Sequence, residues 1–119
     1  MLEILSMPVE NVVGLRISGK IEASDFDRAI AVVEEKLKLF DRLRVYVEVD
    51  NLTGLSLEAL IKDLQFTLRH YKDFEREAVV SDRQWLQRLA AVGDRLFPSI
   101  DVRHFDVSEK EQALAWVQS

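Results

Sequence analysis

Cysteine is absent from this chain of 119 residues, proline occurs twice and glycine four times. Lacking a thiol, the protein forms no disulfide, offers no thiolate nucleophile and cannot build a cysteine-ligated zinc site. The scarcity of glycine and proline leaves no flexible linker and no low-complexity segment, and no internal repeat is visible. An excess of basic residues is missing as well: 16 Lys and Arg face 21 Asp and Glu, a formal net charge of -5. No overall positive field is available to displace counterions from nucleic acid, so nucleic acid is not expected as a partner. Nowhere do the roughly 18 successive apolar residues of a membrane span occur. The opening "MLEILSMPVENVVGLRIS" has no basic stretch followed by a continuous apolar one, as a secretory leader would have. The expected location is the cytoplasm.

What is present suits one domain over residues 1–119. Hydrophobic residues make up 48% and charged ones 31%, a balance outside the disordered range and sufficient for a single core at this length. Leu2 to Met7 and Val12 to Ser18 are apolar and rich in β-branched residues, and "PVEN" between them predicts a hairpin turning at Pro8 and Asn11. Ser24 is the expected N-cap of a first helix with Phe26, Ile30, Val33, Leu37 and Phe40 on one face. From Leu43 to Val49 the chain alternates, which predicts a strand with Leu43, Val45, Val47 and Val49 inward and Arg44, Tyr46 and Glu48 on a half-exposed side.

A turn at Thr53 and Gly54 then leads to Ser56, the cap of a second helix with an apolar stripe at Leu57, Leu60, Ile61, Leu64, Leu68 and Tyr71. Phe74 to Val80 reads as a strand. Ser81 and Gln84 have capping-box spacing ahead of a third helix that must stop before Pro98. Ile100 to Phe105 is a short strand, and Ser108 with Glu111 gives a second capping box ahead of a last helix. The order ββαβαβαβα predicts an α/β fold: a single mixed five-stranded sheet with an N-terminal antiparallel hairpin and about four helices, joined by right-handed crossovers.

The stretch "VYVEVDNLTGLSLEAL", together with Gly19, Ile21, Asp25 and Phe26 in "GKIEASDF", resembles the SpoIIAA-like branch of the STAS superfamily, small cytosolic domains of bacteria. The resemblance runs over nearly the whole chain and implies the same mixed sheet. Anti-sigma-factor antagonists of the wider superfamily carry a phosphorylatable serine in an Asp-Ser-Ser-Gly turn between the corresponding strand and helix. The matching residues here are Asp50, Asn51, Leu52, Thr53 and Gly54, with Thr53 ahead of the glycine; the turn is one residue longer and lacks the serine pair. The resemblance thus implies a protein-interaction phosphoswitch at Thr53. The branch's similarity in fold to lipid-binding CRAL-TRIO domains implies an apolar ligand or a membrane surface instead.

Read as residues, the turn has both a chemical and a structural account. Ligands of open α/β sheets bind beyond the carboxyl ends of strands, where helix N–H groups point. Asp50, Asn51 and Gly54 also occur in turns simply because they close them. His70 and His104 are the only histidines and have no metal-ligand spacing; no nucleophile or oxyanion loop accompanies them, and no catalytic residue, metal or cofactor is expected. Glu34 with Glu35 and Glu75 with Glu77 read as solvated carboxylates.

The third helix is more unusual. Trp85, Leu86 and Leu89 lie among Arg83, Arg88 and Arg95, an apolar band flanked by cations in an acidic protein. It also reads as a core helix with a wide apolar face. Two functions follow as expectations. One is a non-catalytic regulatory or binding module whose Trp85 helix contacts an apolar small molecule or an anionic membrane surface, peripherally. The other is the phosphoswitch with a protein partner. A homodimer is compatible with either.

Overall fold

A computed structural model describes residues 1–119. Strand β1 (Leu2–Leu5) runs antiparallel to β2 (Val12–Ile21), with Leu5 opposite Gly14. Helix α1 (Asp25–Leu37) returns the chain so that β3 (Leu43–Leu55) lies parallel to β2. The same step repeats through α2 (Leu57–His70) to β4 (Phe74–Val80), and through α3 (Gln84–Leu96) to β5 (Asp101–Phe105), before α4 (Lys110–Gln118). The strands stand in the order β1-β2-β3-β4-β5. The predicted mixed sheet and order of elements are those observed.

Three parallel crossovers that each advance one strand the same way, all right-handed, must place α1, α2 and α3 on one face of the sheet. Only α4 is left for the other face. The packing follows this division. Val12, Tyr46, Ala78 and Val80 meet Ala113 and Val117 of α4 on one side, while Val13, Val33, Leu43, Phe74 and Ile100 form the core on the three-helix side.

Coverage of the two faces changes part of the expectation for β3, in which Leu43 and Val49 are buried as expected. Tyr46 and Glu48, expected on the half-exposed side, are 2% and 8% exposed because α4 crosses over them. Arg44 beside them is half-buried; its guanidinium donates to the Val117 carbonyl at 3.0 Å and to Glu75 at 2.9 Å. Val45 and Val47, expected inside, are only half-buried under the three-helix layer.

β3 also outlasts the predicted turn. It continues through Thr53 and Gly54 to Leu55, paired with Ser18 to Ile21 of β2 through two register shifts, with Gly19 at φ 63° and Asn51 at φ 50°. A bulge needs a residue that tolerates positive φ, and glycine and asparagine do so at least cost. At Gly14 the demand is space: an added Cβ would meet Met7 Sδ at 2.5 Å.

Ser56 caps α2 as predicted, its hydroxyl accepting the Ala59 N–H at 3.0 Å. The other caps differ. Ser24 makes no capping bond. Gln84 is the first residue of α3, so the Ser81–Gln84 box does not form; Ser81 is fully buried and bonded to His104 at 2.8 Å instead. Near α4 the box belongs to Asp106 and Glu109, which precede Ser108 and Glu111 by two residues and open a short 3-10 turn. Asp106, fixed to the Ser108 hydroxyl and N–H at 2.6 and 3.0 Å, has its carboxyl held below the ordinary aspartate range by those bonds.

Candidate functional site on the α2–α3 face

The orientation of α2 is set by three anchors. Ala59 is fully buried, Phe66 packs its ring 6.2 Å from that of Phe74 at the start of β4, and Lys62 bonds Asp27 of α1. At 100° per residue these anchors fix the sheet side and the α1 side of the helix, and the stripe Leu57, Leu60, Ile61, Leu64 and Leu68 falls on the remaining arc. All five are exposed, Leu57 by 72%. The sequence stripe is real, but it does not face the core. Tyr71, its sixth member, lies in the 3-10 turn Tyr71–Asp73 and stacks 5.7 Å from Phe97.

α3 is anchored the opposite way. Ala90 is buried, and the Asp94 carboxylate accepts the Val102 N–H of β5 at 3.1 Å, which pins that flank to the edge strand. Trp85, Leu89, Val92 and Leu96, spaced four, three and four residues apart, therefore occupy the flank turned towards α2, and all are exposed, Trp85 by 46% and Leu89 by 53%. Arg88 and Arg95 stand beside them on the outer side, exposed and in no ion pair, while Arg83 lies 3.6 Å from Asp82. Leu86 is half-buried, unlike the exposed Trp85 and Leu89, so the structure does not bring it to their flank. No hydrogen bond or ion pair joins α2 to α3; they meet through Tyr71 and Phe97, and through the Ser99 hydroxyl on the Tyr71 carbonyl at 3.1 Å.

On this side of the sheet stands Glu77, since Ala78 and Val80 point to α4 and alternation turns Glu77 and Val79 the other way. It is not the solvated carboxylate expected. Burial pushes its pKa from 4.5 up to about 7, with the charge of Asp63 on α2 adding to the rise. Asp63 keeps solvent on one side, yet crowding on the other removes enough hydration to raise its own carboxyl above the usual aspartate value. Sequence reading missed this pair; its visible signal was a carboxylate inside a strand that ends in the buried run Ala78, Val79, Val80.

The other candidates lie apart. Asp50, Asn51 and Thr53 are exposed and Gly54 half-buried on the β2–β3 arm, within strand rather than at the helix N-terminus. His70 Nδ1–H donates to the Asp73 carboxylate at 2.8 Å and the ring stacks 4.6 Å from Phe66, with Nε2 buried without a partner. His104 holds Ser81, whose hydroxyl is fully buried, so the contact ties β5 to the end of β4 and presents no accessible nucleophile. A depression of about 430 Å³ runs between α3 and β5 and includes Gln87, Asp94, Arg95 and His104.

A single mixed sheet with three helices on one face, a fourth on the other and an uncovered apolar flank defines a small α/β domain architecture. The SpoIIAA-like family model matches residues 12–118, and the chain belongs to that family. Among solved structures, this chain is similar to an uncharacterized protein with a SpoIIAA-like fold from Shewanella loihica PV-4, with a TM-score of 0.75 and 22% identity over 98% of this chain and 92% of that one. That likeness gives the fold. A comparison with curated proteins found no match. No helix is long and apolar enough to cross a membrane.

Proposed function

We propose that this STAS-like domain is a non-catalytic regulatory or binding module whose α2–α3 face docks on an anionic membrane surface. One observation carries the reading: five large apolar side chains on α2 and four on α3 stand exposed, while each helix buries a single residue, an alanine. Fully burying one such side chain is worth roughly 1.5–3 kcal/mol, so a face of this size left in water has a strong drive to be covered. Arg88 and Arg95 beside the α3 flank match the charge of an anionic headgroup layer, each contributing about 1 kcal/mol near such a surface.

Sedimentation with vesicles tests the reading. The protein is expected to pellet with vesicles containing phosphatidylserine and to stay in solution with pure phosphatidylcholine. Trp85→Ser with Leu89→Ser abolishes pelleting, and Arg88→Gln with Arg95→Gln weakens it roughly 30-fold, about 2 kcal/mol. These residues are exposed, so folding is unaffected. Equal pelleting of wild type and both variants, or none by wild type, overturns the reading. An apolar small molecule or a second copy on the face would then show in native mass spectrometry as an added mass or a dimer. The alternative of a phosphoswitch is supported by the exposure of Thr53. Phosphate on Thr53 after incubation with ATP and cell extract would favour it.

A further inference from the structure

The sheet ends at β5, and the outer edge of that strand is open beside α3. The Ser81 N–H bonds the Phe105 carbonyl at 3.0 Å, so Asp101, Arg103 and Phe105 turn their backbone groups towards β4. Those of Val102 and His104 alternate outward. The Val102 N–H shows this directly, since it donates to the Asp94 carboxylate of α3 at 3.1 Å. The Val102 carbonyl and both backbone groups of His104 have no partner on that edge. Between edge and helix runs the depression of about 430 Å³, walled by Gln87, Ala91, Asp94 and Arg95 of α3 and by Val102 and His104 of β5. From Gln87 to Arg95 is about 12 Å of helix, the length of about four strand residues. The carboxylates nearby are engaged: Asp94 with the Val102 N–H, Asp101 with Arg103 at 3.6 Å, and Asp106, beyond the strand, with Ser108. His104 is bonded to Ser81, and Arg95 is left exposed and in no ion pair.

We propose that this groove docks an acidic, extended segment of a partner protein, which pairs with β5 as a further strand and displaces Asp94. The outward backbone groups of Val102 and His104 supply affinity without regard to sequence, as in other strand additions. Charge supplies the choice. Every second side chain of the added strand faces α3, where a carboxylate meets Arg95 and a lysine is repelled. The small side chain of Ala91, one turn before Arg95, leaves room for it.

Asp94 acts as the plug. Its carboxylate stands where a carbonyl of the added strand would accept the Val102 N–H, so it guards the edge against unwanted pairing and swings aside when the segment binds. The groove is separate from the apolar face. At 100° per residue Gln87, Ala91 and Asp94 fall within about 60° of one another around α3 and roughly 180° from Trp85, Leu89 and Leu96. Docking of the segment therefore does not rest on the membrane reading.

A nuclear magnetic resonance titration of the isotope-labelled protein, without vesicles, tests the groove. The probe is a capped synthetic peptide alternating glutamate and valine, compared with one alternating lysine and valine and one alternating glutamate and proline. At about millimolar concentration the glutamate–valine peptide is expected to shift the Val102 and His104 amide signals. The lysine peptide binds at least about tenfold more weakly, and the proline peptide, which lacks half of the donors, leaves those signals in place. Arg95→Glu weakens binding of the glutamate–valine peptide at least about tenfold. Asp94→Ala strengthens it about fivefold, because the Val102 N–H no longer has to be released. Should that variant loosen α3, Arg95→Glu, at an exposed position, still decides. Unmoved β5 signals, shifts confined to the Trp85–Leu89 flank, equal binding of the lysine peptide, or unchanged affinity in Arg95→Glu overturns the proposal and leaves vesicle docking untouched.

Discussion

Tyr46 lies under α4 with its hydroxyl buried and without a hydrogen-bond partner. Burial pushes its pKa up to about 12, the Glu48 carboxylate contributing in the same direction. A phenol in this position loses its bonds to water and gains only the proximity of the Glu48 carboxylate, without hydrogen-bond geometry. Tyr46→Phe is accordingly expected to leave the urea midpoint unchanged or raise stability by about 1 kcal/mol; a loss of that size would show that the hydroxyl is bonded after all. Glu48 beside it has different support. It is buried but held by Lys110 at 3.0 Å and Arg16 at 3.6 Å, so its charge is matched from α4 and from β2. Glu77, on the opposite face, has no such cation. That contrast between two strand glutamates is why one is a fixed ion pair and the other titrates near neutrality.

Helix α2 draws little of its stability from burial and more from local chemistry. Its cap is the Ser56 hydroxyl, and its exposed stripe contributes nothing to the core. Ser56→Ala should cost about 1 kcal/mol in urea unfolding and should raise hydrogen exchange first in residues 57–60, where the helix N–H groups lose their acceptor. α4 behaves otherwise. Its carbonyl end is met by Arg76, which donates to Trp116 at 2.8 Å, and by Arg44 on Val117, so two cations from the sheet complement the helix dipole. The guanidiniums of Arg76 and Arg103 also lie 5.3 and 4.7 Å from the Trp116 ring. A helix so held is a sound internal reference for the exchange measurement on α2.

At the scale of the molecule the two faces of the sheet differ in kind. The α4 face is closed, with the Glu48 charge paired; the three-helix face is open along α2 and α3, with the unpaired Glu77 carboxyl beneath and apolar side chains outside. The unpaired side should dominate the pH dependence of folding. Glu77 has its folded pKa raised, so the stability it allows is complete below about 4.5 and declines as pH climbs to about 7. The decline is of order 3 kcal/mol at about 1.4 kcal/mol per pH unit. Urea midpoints taken across that range should fall for the wild type and stay nearly level for Glu77→Gln.

Several features were set by residue order alone. Hairpin, crossovers and the succession of strands follow from periodicity and turn residues, which act within a few positions of one another. Leu57, Leu60, Ile61, Leu64 and Leu68 had to share a helix face, and Trp85 and Leu89 another, whatever the rest of the chain did. Which way those faces look was decided only by tertiary structure. Periodicity records that side chains lie together, not what lies opposite them. Lys62 reaching Asp27 and Asp94 reaching Val102 rotate the two helices so that their apolar stripes point away from the core. In the same way α4, from the far end of the chain, buried Tyr46 and Glu48, and β2 drew Asp50 to Leu55 into a longer strand.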